Sequence, residues 1–92
     1  MGKPFVGYHV STQEPVLIRV PDVLLKDKRF FFRKPEFVCI NVFLLESGED
    51  TDVCFEWGDL LPRLKGKTLE ERLSVLNEKL RSLVGVVIAS RM

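Results

Sequence analysis

Two cysteines and one histidine are the side chains of this sequence best suited to catalysis or metal binding. They are Cys39, Cys54 and His9, and the chain has no C-x-x-C pair. A structural zinc site needs four ligands, and its cysteines usually come in closely spaced pairs. A cysteine nucleophile needs a base within hydrogen-bond reach, for which only His9 is present, and a hairpin histidine is more often exposed or packed neutral. The sequence therefore predicts no metal, no cofactor and no catalytic residue.

A second candidate is Gly66-Lys67-Thr68 at the start of a helix, which is similar to the tail of a phosphate-binding P-loop. That loop needs a glycine five residues before Gly66, where this chain has Leu61. Pro62 also removes one of the backbone N–H donors that would wrap a phosphate. We interpret the segment as a basic loop followed by an ordinary helix cap.

Segment 26–34 combines five basic residues with three phenylalanines. Strand alternation places Arg29, Phe31 and Arg33 on one face, where such a row could stack a base and hold phosphates. The same row would also protect an edge strand from unwanted pairing. The candidates for nucleic-acid binding are Lys28, Arg29, Phe31, Arg33, Lys34, Arg63, Lys65 and Lys67. The net charge of +1 counts against this reading, because a domain-wide basic excess is the usual footprint.

An acidic stretch balances the basic one. Segment 46–52 holds four acids and no base. Acids around a hairpin turn are commonly solvated, so no carboxylate pair for acid–base catalysis is inferred. Opposite patches on a nearly neutral chain could instead orient a self-complementary contact.

The first half of the chain is predicted to form mainly strands. Residues 5–10 and 16–20 predict a first hairpin, and Asp22 is placed to cap a short helical turn over 23–25. Residues 29–33 are aromatic-rich and predict a further strand, which Pro35 makes an edge or bent strand.

A second hairpin is predicted from 37–45 and 52–57 around Gly48. If Gly48-Glu49 form the loop, Leu44 opposes Val53, Val42 opposes Phe55 and Ile40 opposes Trp57, all on one face. This register separates the Cα atoms of the two cysteines by roughly 13 Å, so both are expected to be reduced. The other face is half apolar and supplies the interface candidates Phe37, Cys39, Phe43, Leu45 and Cys54.

The C-terminal part predicts one amphipathic helix followed by a strand. Thr68 and Glu71 form a capping box, and Gly85 provides a left-handed residue at the helix end. The apolar stripe of the helix consists of Leu69, Leu73, Leu76, Leu80 and Leu83. Residues 86–89 are apolar on both faces and predict an interior strand, parallel to the strand before the helix.

These elements predict one α+β domain over residues 1–92. Its mainly antiparallel sheet would have five or six strands, with the helix at about 69–84 on one face and a C-terminal apolar strand. No second long helix is available for the other face, so we expect a non-catalytic interaction module that forms a homo-oligomer or binds another protein.

The alternative is a small nucleic-acid-binding or regulatory protein that uses segment 26–34. No apolar run approaches the ~18 residues of a membrane span, and the first residues lack the apolar stretch of a secretory signal, so a cytoplasmic location is expected. Side-chain amides are few (Gln13, Asn41 and Asn77), which is compatible with a thermophilic source.

Overall fold

Five strands form one antiparallel sheet, and the helices cover one of its faces. The computed structural model describes residues 2–26 and 36–91. Its elements are β1 (Lys3–His9), β2 (Pro15–Val20), α1 (Asp22–Leu25), β3 (Phe37–Leu44), β4 (Asp50–Glu56), α2 (Trp57–Leu64), α3 (Leu69–Val84) and β5 (Val86–Arg91). The sheet order is β4-β3-β2-β1-β5. The predicted α+β class and the first hairpin are confirmed, whereas the strand predicted at 29–33 lies outside the described residues.

The core lies between the helices and one face of the sheet. Alternate strand residues point into it because successive side chains of a strand face opposite sides. The buried strand residues are Phe5, Val16, Ile18, Val20, Val38, Ile40, Val42, Val53 and Val86. The buried helical residues packed on them are Leu24, Leu25, Trp57, Leu60, Leu64, Leu76 and Leu80.

Helix α3 has the predicted bounds and caps. The Thr68 hydroxyl accepts a hydrogen bond from the Glu71 N–H at 3.2 Å, and the Glu71 carboxylate accepts one from the Thr68 N–H at 3.0 Å. Gly85 ends the helix in the left-handed conformation at φ 68°. The leucine stripe differs from the prediction at its end, because Leu83 is 60% exposed.

The capping box makes the stability of α3 depend on pH. Hydrogen bonds from Thr68 hold the pKa of Glu71 below its ordinary value of 4.5, so the folded state favours the carboxylate. This contribution is complete above pH 4.5 and is lost as the pH falls through the folded pKa. We therefore expect Glu71→Gln to unfold at a lower temperature than the native chain at neutral pH, with the difference shrinking as the pH falls below 4.5. The control is Glu70→Gln, which leaves the cap intact; a pH-independent difference for Glu71→Gln would contradict the prediction.

Helix α2 was not predicted. The strand was expected to continue to Trp57 and a short segment with a loop to follow, but β4 ends at Glu56 and Trp57 opens the helix. Trp57, Leu60 and Leu64 recur at helical spacing and are buried. The Trp57 N–H donates to the Glu36 carbonyl at 2.9 Å, which fixes the helix start beside β3.

The predicted setting of the last strand was wrong. Strand β5 lies at one edge of the described sheet, and it pairs with β1 in antiparallel orientation instead of lying parallel beside β4. The strands β4 and β5 run in the same direction but at opposite edges of the sheet. Helix α3 thus carries the chain across the covered face from the β4 edge to the β5 edge.

The register of the second hairpin was also predicted wrongly. The loop has four residues, 45–48, and the Leu44 N–H donates to the Glu49 carbonyl at 2.8 Å. Gly48 takes the left-handed position at its end, with φ 78°. The Glu14 carboxylate stabilises this longer turn by accepting hydrogen bonds from the backbone N–H groups of Glu46 at 3.2 Å and Ser47 at 2.7 Å.

This register brings the two cysteines together. Cys39 lies directly opposite Cys54, with 4.0 Å between Cα atoms, and the two form a disulfide. The prediction of two reduced thiols was therefore wrong. Every pairing moved by an even number of residues, so each side chain kept its predicted face of the sheet while its partner changed.

Candidate interaction surface on the open sheet face

The sheet face opposite the helices, termed the open face, carries a continuous row of apolar side chains. Tyr8 lies between Val87 on β5 and Pro15 on β2, and the Leu45 N–H donates to the Pro15 carbonyl at 3.0 Å. A second row beside it runs from Val6 through Leu17 to Phe43. Together these rows form what we call the open-face patch, made up of Val6, Tyr8, Pro15, Leu17, Phe43, Leu45 and Val87.

The patch is partly accessible to solvent. Tyr8 is 40% exposed and Leu45 is 49% exposed, whereas Val6, Leu17, Phe43 and Val87 are half-buried by their neighbours. Large apolar side chains that lie singly on a surface are unremarkable, but a contiguous group across four strands is typical of a contact surface.

A polar row borders the patch. The Asn41 side-chain amide on β3 donates to the carboxylates of Asp50 at 2.5 Å and Asp52 at 3.0 Å on β4. Arg19 on β2 lies directly beside Asn41 in the register and is exposed. The row thus combines a guanidinium at one end with two carboxylates at the other.

The five predicted interface residues all lie on the open face, but they form two groups on either side of the polar row. Phe43 and Leu45 belong to the patch. Cys39, Cys54 and Phe37 lie beyond the polar row, where the disulfide is solvent-exposed and Phe37 is 56% exposed. The other patch residues were not predicted. Their signal was present in the first hairpin, because Val6, Tyr8 and Leu17 are apolar and alternate with the core residues of β1 and β2.

The structure describes three of the eight candidate nucleic-acid residues. Lys28, Arg29, Phe31, Arg33 and Lys34 lie outside the described residues. The other three are exposed near the α2–α3 connection, away from the open face: Arg63, Lys65 and Lys67. The Arg63 guanidinium pairs with the Glu78 carboxylate at 3.2 Å.

The remaining candidates for chemistry serve local structure. The His9 imidazole accepts hydrogen bonds at Nδ1 from the backbone N–H groups of Ser11 at 3.2 Å and Thr12 at 3.4 Å, and so shapes the first turn. The Thr68 hydroxyl belongs to the helix cap. A buried charge that was not predicted is Arg72, which is 2% exposed and donates from Nε to the Lys67 carbonyl at 3.1 Å.

No protein-family model, curated protein or solved structure matches this chain. Within the described ranges, none of the helices has the length and apolar character needed to cross a bilayer. The properties of the open face are therefore the starting point for a function.

Proposed function

We propose that this protein is a non-catalytic interaction module that self-associates through the open-face patch. The observation that supports this is the contiguity of the apolar side chains across β5, β1, β2 and β3. Burial of such a patch against a second apolar sheet would remove Tyr8 and Leu45 from water, at a gain of roughly 25 cal/mol per Å² of apolar surface.

The polar row favours a second copy as the partner. Arg19 stands on β2, and Asp50 and Asp52 stand on β4 of the same open face. A two-fold rotation that packs two open faces together can bring the guanidinium of one copy towards the carboxylates of the other. Complementary charges around an apolar centre fix orientation more than they add affinity.

The test is the mass of the purified chain in solution. We expect wild-type protein to exceed the monomer mass in light scattering, and Leu17→Glu with Leu45→Glu to lower the mass, because two buried carboxylates would each lack a partner. The control is Leu83→Glu, whose leucine is 60% exposed and lies on α3, away from the open face. A mass unaffected by the double substitution would rule out the patch as an interface.

The same measurement with mixed oligonucleotides examines the nucleic-acid alternative. Binding that weakens steeply with salt and is reduced by Arg33→Ala would support that function instead.

We also propose a cytoplasmic location in a thermophilic organism. Disulfides are rare in the cytosol of mesophiles but frequent in intracellular proteins of hyperthermophiles. The disulfide and the low number of side-chain amides are together consistent with that setting.

A further inference from the structure

Among the strands that the structure describes, β5 has a hydrogen-bonded neighbour on one side only, where β1 lies. Natural edge strands are usually protected by charges, proline or a covering element. Strand β4, at the opposite edge, carries Asp50, Asp52 and Glu56. Residues 86–89 of β5 are Val-Val-Ile-Ala, without a charge or a proline, and the first charged residue of the strand is Arg91.

Helix α3 contacts the backbone of this edge at Ile88, through the side chain of Asn77. The Ile88 N–H donates to the Asn77 side-chain oxygen at 2.7 Å, and the Asn77 amide donates to the Ile88 carbonyl at 3.4 Å. An asparagine side chain offers the same donor and acceptor as a backbone peptide, so Asn77 takes the place of a neighbouring strand at this point. Shallow grooves open on both sides of the contact, one beside Ser74 and Ser90 and the other beside Arg81 and Val87.

The surface of α3 next to these grooves is self-complementary. Glu70, Ser74, Asn77 and Arg81 follow one another at spacings of four, three and four residues, which places them in one line along the helix. If a second α3 runs antiparallel beside the first, Glu70 of one copy lies next to Arg81 of the other, and Ser74 lies next to Asn77. Both pairs are symmetric about the point between Val75 and Leu76.

The same two-fold axis fits the strand. Helix α3 and β5 run in opposite directions, and Asn77 lies level with Ile88. The centre of the four α3 residues, between Val75 and Leu76, precedes Asn77 in the helix. At a helical rise of about 1.5 Å per residue, this centre lies about 2 Å beyond Ile88 towards the C-terminal end of β5, close to Ala89. The midpoint of β5 (Val86–Arg91) falls between Ile88 and Ala89. One axis can therefore relate both the two helices and the two edge strands.

We propose that a second copy of this chain docks along the β5 edge, with β5 antiparallel to its counterpart and Glu70 of each α3 paired with the other copy's Arg81. Two five-stranded sheets would then join into one continuous sheet whose helices lie on the same face. This contact is centred on the β5 edge and α3, and it adjoins the open-face patch at Tyr8 and Val87. The Asn77 side chain binds the Ile88 N–H and carbonyl groups while the chain is alone, and it releases them when β5 pairs with its counterpart.

Charge reversal tests the pairing. We expect Glu70→Arg or Arg81→Glu to weaken the edge contact at least about tenfold at low ionic strength, because each places like charges together twice per dimer. An equimolar mixture of the two variants should regain the dimer, since unlike charges then meet at both sites. The double variant should also dimerise. Lys79→Glu makes the same change of net charge as Arg81→Glu on the side of α3 that faces Phe55 and Arg63, and it should have no effect.

The measurement is sedimentation velocity of the full chain, with circular dichroism to verify folding. It is made in the wild type and in the Leu17→Glu/Leu45→Glu background, which removes the open-face contact. Dimers that persist in this background, dissociate with each single reversal and return on mixing are the expected result. If the Leu17→Glu/Leu45→Glu protein is a monomer, the edge contact is overturned and the open-face contact is not affected. The edge contact is also overturned if the charge reversals leave the mass unchanged, or if mixing the two variants does not restore the dimer.

Discussion

Replacing Gly7 with alanine is expected to destabilise the fold by roughly 3 kcal/mol or more, the largest effect of any single methyl group in this chain. A Cβ atom at Gly7 would lie 1.9 Å from the Val87 carbonyl oxygen and 2.9 Å from its carbonyl carbon. Both are backbone atoms, so no side-chain rotation relieves the clash and β5 must move away from β1. The register of this pair already shifts between Val6 and Gly7, which places the tight contact at a bulge.

Urea unfolding checks this prediction, and Gly58→Ala is the matched control. Gly58 lies inside α2, and an added Cβ there would meet nothing within 4 Å. Alanine at that position should leave stability unchanged or raise it by up to about 1 kcal/mol, because alanine is the better helix former. Hydrogen exchange should show the amides of β5 and β1 losing protection first in Gly7→Ala. Equal unfolding midpoints for the two variants would contradict the close approach of β1 and β5.

Removing the disulfide is the second large effect. Cys39→Ser with Cys54→Ser opens a loop that spans 15 residues of sequence, which should lower the free energy of unfolding by about 3 kcal/mol. For a domain of this size the Tm should fall by roughly 15 °C. The secondary structure should persist at ambient temperature, because both cysteines lie on the open face and the core lies on the other side of the sheet.

Reductant provides the control for this experiment. Wild-type protein treated with dithiothreitol should unfold at the temperature of the double serine variant, and the variant itself should not respond. A wild-type Tm that is indifferent to reductant would refute the prediction. Alkylation of free thiols before cell lysis extends the test to the cell: unmodified Cys39 and Cys54 in cytoplasmic protein would support an intracellular disulfide, and full alkylation would contradict it.

Local patterns were the most predictable part of this protein. The bounds of α3, its capping box and Gly85 follow from residues within a few positions of one another, so they could be inferred before any long-range contact was known. The assignment of Phe43, Leu45 and Phe37 to the open face was equally robust. It depends only on strand alternation, which an even shift of register leaves unchanged.

Turn length was not predictable to the same degree. A two-residue loop at Gly48-Glu49 and the observed four-residue loop both place a glycine in a permitted conformation. The choice between them depends on the Glu14 carboxylate, which reaches the turn from the first hairpin. Because that contact is distant in sequence, the pairing of Cys39 with Cys54 was missed.

The sequence by itself determined the class of fold, the C-terminal helix and the face on which each residue of β3 and β4 lies, since these depend on periodicity and caps. Only the tertiary structure decided which strands are neighbours, that the cysteines meet, and that Val6, Tyr8, Leu17 and Val87 join Phe43 and Leu45 in one patch. The physical reason is that such contacts depend on register and strand order. Both are set by packing between segments far apart in the chain, and the composition of any one segment is compatible with several arrangements.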